Sequence, residues 1–125
     1  MDTNIARQIS RIAVSLLVAT ASLVALDSRA DAGSRYTCPS GYFCVWSGQD
    51  YEGTRHQYND VGDYNLITMD PIGSAFNNRG KRTYLNQLSG KSSTYSCFGP
   101  YDYDYALSGW QVHANSAFLS TYTNC

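Results

Sequence analysis

Beyond residue 32 the chain has no stretch in which apolar side chains recur every three or four positions, the pattern a helix needs to bury one face. Short aromatic and β-branched runs alternate with turn residues instead, which predicts an all-β domain. The first half offers strands over 42–46 (YFCVW), 55–58 (RHQY), 65–69 (NLITM) and 74–77 (SAFN). They are separated by Ser47-Gly48-Gln49-Asp50, by the loop 59–63 around Gly62, and by Asp70-Pro71-Ile72-Gly73; Asn78-Arg79-Gly80 closes the set. The second half offers 82–87 (RTYLNQ), 94–98 (TYSCF), 101–105 (YDYDY), 110–113 (WQVH) and 117–122 (AFLSTY), with turns at 89–93 and at Gly99-Pro100. Strands this short, cut about every ten residues, predict a single β-sandwich of Greek keys. Ser74-Ala75-Phe76 recurs as Ser116-Ala117-Phe118, which supports two related halves.

The first 32 residues read differently. Arg7 and Arg11 precede an uncharged run, IAVSLLVATASLVAL over 12–26, and Ala30-Asp31-Ala32 follows as an A-x-A cleavage site. This is the layout of a secretory signal peptide. As a helix the apolar run spans roughly 22 Å, short of the about 30 Å of a hydrocarbon core. The expectation is export, cleavage after Ala32, and a folded domain over 33–125 with no membrane attachment once the signal is removed.

Composition narrows the function. Charged residues make up 15% of the chain and the net charge is −1, with no Lys/Arg cluster, so an electrostatic nucleic-acid binder is excluded. The 14% aromatic content argues for burial rather than disorder. Tyr outnumbers Phe by 11 to 4, and tyrosine suits half-wet surfaces and interfaces because only one end of it is apolar.

All four cysteines, Cys38, Cys44, Cys97 and Cys125, fall after the signal. An even count in a short exported chain reads as two disulfides. Of the three pairings, Cys38–Cys44 with Cys97–Cys125 is favoured. Pro39-Ser40-Gly41 is a turn able to bring the first pair together, and the second would tie the C-terminal tail to the body. A four-cysteine zinc site fits poorly, because no C-x2-C pair exists and the compartment is oxidising.

No catalytic constellation emerges. His56 and His113 lie at no ligand spacing and in no H-E-x-x-H, and no G-x-S-x-G elbow is present. Asp102 and Asp104 would stand roughly 7 Å apart on one face of an extended strand, a separation that glycosidases use. Nothing in the sequence perturbs their ionisation, and such alternation ordinarily means a half-buried strand with a solvated acidic face. Tyr101, Tyr103 and Tyr105 would share the opposite face and could serve a protein or sugar partner. The chain is therefore read as a non-enzyme, without cofactor or metal, and as a monomer.

Trp46-Ser47-Gly48-Gln49-Asp50-Tyr51-Glu52-Gly53 fits aromatic-x4-aromatic-x-Gly. A folded-over hairpin needs a glycine at a strained backbone position, and Tyr51 can cover it by packing on Trp46. The motif resembles the signature of a βγ-crystallin Greek key, with Ser74 where that motif keeps its serine. The opening run CPSGYFCVW from Cys38 to Trp46 resembles exported bacterial proteins grouped as peptidase inhibitor family I36. That group contains a single-domain βγ-crystallin-like inhibitor of thermolysin-type metalloproteinases. The similarity extends over 38–78, and no second aromatic-x4-aromatic-x-Gly occurs around Tyr84. The Ca²⁺ segments of many βγ-crystallins correspond here to Met69–Ser74 and Gln111–Ser116, where Met69 and Gly73 replace expected oxygen ligands and the second copy has no carboxylate.

The resemblance implies an extracellular peptidase as partner and a substrate-like loop as reactive site. Cys97-Phe98-Gly99-Pro100-Tyr101 is that candidate. A rigid loop fits a protease cleft with little ordering entropy. Thermolysin-type enzymes prefer a large apolar residue after the scissile bond, which makes Phe98 the expected anchor and puts Tyr101 at the rim. In the family inhibitor a nearby second cysteine closes this loop; here Tyr101 stands at that place and Cys97 must reach Cys125. The second reading of the same fold is a non-inhibitory exported binding module, antifungal or directed at cell-wall glycan.

Overall fold

Residues 33–125 are described by a computed structural model, and the signal-peptide reading of 1–32 lies outside them. Short β-branched and aromatic runs become the strands β1 (Tyr42–Trp46), β2 (Arg55–Tyr58), β3 (Tyr64–Leu66), β4 (Ser74–Asn78), β5 (Thr83–Asn86), β6 (Tyr95–Phe98), β7 (Tyr103–Asp104) and β8 (Ser116–Leu119). They pair antiparallel into two four-stranded sheets, ordered β2-β1-β4-β7 and β3-β8-β5-β6. The third strand of each half crosses to the other half's sheet: β3 joins β8, and β7 joins β4. No α-helix occurs among the described residues; Arg35–Thr37, Gln49–Tyr51 and Gly109–His113 are 3-10 turns.

Alternation along the strands aims one face of each sheet at the other. Phe43 and Val45 from β1 meet Leu85, Phe98, Ala117 and Leu119 from the second sheet, all buried. The rings of Phe43 and Phe98 cross edge-on with centroids 5.5 Å apart, joining β1 to the edge strand β6 of the other sheet. Such a pair adds about 0.5–1.5 kcal/mol beyond its buried area. The outward face of β1 is also buried: Cys44 and Trp46 pack with Cys38, Phe76, Tyr42 and Tyr51. That second cluster explains why YFCVW is apolar throughout rather than alternating.

Both disulfides form as the cysteine spacing favoured, Cys38–Cys44 and Cys97–Cys125. The strand expected over 65–69 pairs only as Tyr64–Leu66, and that over 101–105 only as Tyr103–Asp104. The segment expected to be a strand over 110–113 is a 3-10 turn. Its Ser108-x-x-Gln111 pattern competes with extension: the Ser108 amide donates to Gln111 Oε1 at 3.4 Å, and the Gln111 amide donates to the Ser108 carbonyl at 3.2 Å.

Candidate functional site

Two devices on this scaffold set its working parts: a folded hairpin between β1 and β2, and a tight turn after β6. In the hairpin, Ser47 and Thr54 close the strands, with the Ser47 amide donating to the Thr54 carbonyl at 3.0 Å. Gly53 takes φ +82°, and a Cβ there would stand 2.2 Å from Ser47 Oγ, so no other residue fits without displacement. The ring of Tyr51 stands edge-on to Trp46 at 5.1 Å. Buried Ser74 holds the folded loop, accepting from the Tyr51 amide at 3.0 Å and donating to the Gly48 carbonyl at 2.7 Å. Ser116 does the related work in the other half, donating to the Leu88 carbonyl at 2.7 Å. The short internal repeat thus marks two serines that each pin a hairpin loop.

The turn after β6 runs Gly99-Pro100-Tyr101-Asp102. The Asp102 amide donates to the Gly99 carbonyl at 3.2 Å and Tyr101 has φ 59°. Proline second and a left-handed third residue make the type II pattern, which glycine usually completes. A tyrosine there is strained by roughly 1–2 kcal/mol. Three anchors hold it. Cys97 is bridged to Cys125. The Tyr101 amide donates to the Arg79 carbonyl at 3.2 Å, and the Asn77 amide to the Asp102 carbonyl at 2.9 Å. Fully buried Asn77 then reaches under the turn, its Nδ2 donating to the carbonyls of Gly99 at 2.7 Å, Lys81 at 2.8 Å and Phe98 at 3.2 Å.

Behind Asn77 lies a buried polar chain. Thr83 Oγ1 donates to Asn77 Oδ1 at 3.0 Å and accepts from Arg79 Nη1 at 2.7 Å. Arg79 also donates to the carbonyls of Arg82 at 3.0 Å and Ser120 at 2.7 Å. No carboxylate is among its partners, and burial holds the guanidinium below its ordinary ionisation range. No local signal announces this network: in strand and turn contexts Asn77 and Arg79 read as surface punctuation.

The candidate reactive segment is corrected at its centre. Phe98 is 4% exposed and belongs to the core, against Phe43. Strand parity decides this: inward Phe98 follows Cys97, whose sulfur faces the C-terminal tail. A side chain that bridges the two sheets cannot enter a protease cleft while the sandwich stays closed. The exposed members of the segment are Pro100 and Tyr101, with Tyr101 60% exposed. Tyr103 and Tyr105 are exposed too, though the strict alternation over 101–105 is broken by the left-handed residue at Tyr101. Asp102 and Asp104 are engaged locally: Asp102 Oδ1 accepts from the Tyr103 amide and Asp104 Oδ1 from the Ala106 amide, each at 2.9 Å. The Arg35 guanidinium lies over the Tyr103 ring at 3.6 Å, and its hydrogen bonding to the Tyr103 and Tyr36 hydroxyls, which accept, holds it above its ordinary range.

Neither histidine meets a nucleophile. His56 sits on β2 opposite Val45, and His113 Nδ1 lies 2.6 Å from Asp70 Oδ1 on the open surface. Among the described residues, no three His, Cys, Asp or Glu side chains cluster in a way that could hold a metal ion. The arrangement can present a held turn to a partner. No curated protein and no solved structure matches the chain. A family model described as peptidase inhibitor family I36 matches residues 31–97, from the hairpin through β5 to the bridged cysteine of β6, and ends before the Gly99–Asp102 turn. That match covers more than half of the chain, and the chain belongs to peptidase inhibitor family I36.

Proposed function

We propose that the protein is an exported inhibitor of thermolysin-type metalloproteinases, released by cleavage after Ala32, which enters the enzyme's cleft through the turn Gly99–Asp102. The observation that carries this reading is the construction of the turn. It is exposed at Pro100 and Tyr101, yet fixed by a disulfide, by the Asn77 amide and by its own hydrogen bond. A segment ordered before binding loses little entropy on docking, and a segment this tightly held resists being drawn into a cleavable geometry. Tyr101 takes the anchoring role in place of Phe98, since it is the large side chain that the turn projects. The acidic side chains beside it are committed to local amides and act at the rim, where charge chiefly alters association rate.

Purified 33–125 titrated against thermolysin, a serine protease and a cysteine protease tests the proposal. Selective inhibition of the metalloenzyme is expected, with Tyr101→Ala weakening it by roughly thirtyfold or more, as for a buried interface aromatic. Phe98→Ala is expected to act differently, lowering stability by about 3–5 kcal/mol through a core cavity. Full inhibition by Tyr101→Ala would move the reactive segment elsewhere. No inhibition of any protease by the wild type would leave the second reading, an exported binding module that uses exposed Tyr36, Tyr101, Tyr103 and Tyr105.

A further inference from the structure

The outward face of the second sheet carries aromatic rings where a small sandwich ordinarily shows polar side chains to water. Pairing sets Tyr64 on β3 beside Phe118 on β8, and Phe118 beside Tyr84 on β5. Tyr95 on β6 stands beside Asn86. The rings associate in two pairs, Tyr64 with Phe118 at 4.9 Å and Tyr84 with Tyr95 at 5.2 Å. The segment joining β5 to β6 passes over them, and its Lys91 and Ser92 form the remaining wall of an open groove of about 250 Å³. None of these residues belongs to the Gly99–Asp102 turn, so the groove stands apart from the proposed inhibitory segment.

Two polar groups face the groove beside the rings, the Asn86 amide and the exposed Lys91 ammonium. Asn86 is 4% exposed, yet its one side-chain hydrogen bond among the described residues is a long 3.4 Å contact from Nδ2 to the Tyr84 carbonyl. Lys91 is the single charged side chain on the wall and makes no ion pair or hydrogen bond among the described residues. The groove is therefore aromatic at its floor, amide-bearing at one edge and positive at its lip.

We infer that this groove binds one ring of an acidic sugar, a pyranose bearing a carboxylate. The flat C–H face of a pyranose stacks on the electron-rich face of an aromatic ring. Its hydroxyls both donate and accept, matching the Asn86 amide, the Ser92 hydroxyl and the tyrosine hydroxyls. Its carboxylate pairs with Lys91. The volume lies just below the roughly 300–1,000 Å³ of drug-sized ligand sites, which suits a single substituted ring. A wholly apolar occupant would cover the Asn86 amide without offering it a partner and would make no use of the Lys91 charge.

Titration of 33–125 with tri-galacturonate and with the neutral maltotriose, followed by tyrosine fluorescence and amide NMR shifts, tests the inference. Tri-galacturonate is expected to bind saturably, about tenfold or more tighter than maltotriose, the margin of a charge-assisted hydrogen bond. Lys91→Gln should erase that margin, and Tyr95→Ala should weaken both sugars, while thermolysin inhibition stays unchanged in both variants. Tyr95 is 55% exposed, so its truncation spares the fold. Equal affinity for the two sugars overturns the inference, as does binding of neither. Tighter binding of the peptide Ala-Ala-Phe at the same amides overturns it in favour of a peptide terminus. Loss of thermolysin inhibition with sugar binding intact would count against the inhibitory reading and leave this one standing.

Discussion

Tyr101, in the turn proposed to enter the protease cleft, sits where its backbone is strained. Its φ of 59° suits glycine better than an aromatic. Tyr101→Gly should leave stability between unchanged and about 1 kcal/mol higher, since relief of strain offsets the greater freedom of the unfolded chain. Inhibition should fall in the same variant. Urea denaturation beside an inhibition constant reads the two opposite signs, and a parallel loss of both would contradict strain at this position. Tyr58 carries a different residue-scale consequence. It packs against the core and its hydroxyl is buried without a hydrogen-bond partner. Burial raises that hydroxyl above the ordinary tyrosine value. The unfolded chain therefore releases this proton first, so stability present below about pH 10 is lost as pH rises beyond it. Tyr58→Phe should match or exceed wild-type stability at pH 7 and lose less between pH 9 and about pH 11. Thermal melts across that range check it; identical alkaline slopes would show that Tyr58 ionises freely.

At the scale of elements, the β1–β2 hairpin rests on one backbone geometry that only glycine meets. Gly53→Val adds a β-branched side chain at φ +82°, against Ser47 Oγ. A loss of more than about 1 kcal/mol is expected. An unchanged melting temperature would mean that the loop refolds around the new side chain. The two disulfides differ in reach. Cys97–Cys125 has a sequence separation of 28 and Cys38–Cys44 of 6. Loop-closure entropy alone assigns them about 3.6 and about 2.2 kcal/mol. Replacing Cys97 and Cys125 by serine should therefore destabilise more than replacing Cys38 and Cys44. It should also weaken protease inhibition selectively, because Cys97 adjoins the turn and the tail it holds pairs with Arg82, whose amide donates to the Tyr122 carbonyl at 2.9 Å. Equal inhibition by both double variants, measured below their unfolding transitions, would remove the disulfide from the mechanism.

On the scale of the whole molecule, the exchange of β3 and β7 between halves makes the sandwich a single cooperative unit. Neither half can close its own sheet alone. Two-state unfolding is expected, with tryptophan fluorescence and far-UV circular dichroism transitions coinciding. Separate transitions would show that one sheet survives without the other. The proposed export is tested at this scale too. The chain secreted by its host should begin at Gly33 by intact mass, and a retained 12–26 segment would refute cleavage after Ala32.

Much of this was legible in the residues themselves. Turn chemistry and short aromatic runs determined an all-β chain, because glycine, proline and asparagine restrict the backbone locally. The hairpin signature at Trp46–Gly53 and the pairing of Cys38 with Cys44 are likewise local, each confined to a few neighbouring positions. Ser108 and Gln111 carried a local signal as well, and it outweighed the strand reading of Trp110–His113. What the sequence could not determine was anything set by parity and by distant partners. Whether Phe98 faced a protease or the core depended on which face of β6 met β1, a choice made by the packing of two sheets. The Asn77–Thr83–Arg79 network joins three segments whose residues read individually as polar surface, and only close approach in a low-dielectric interior makes them one structure. The turn proposed to be reactive is therefore written in the sequence as a Gly-Pro step, and the hydrogen bonds that hold it are a property of the fold.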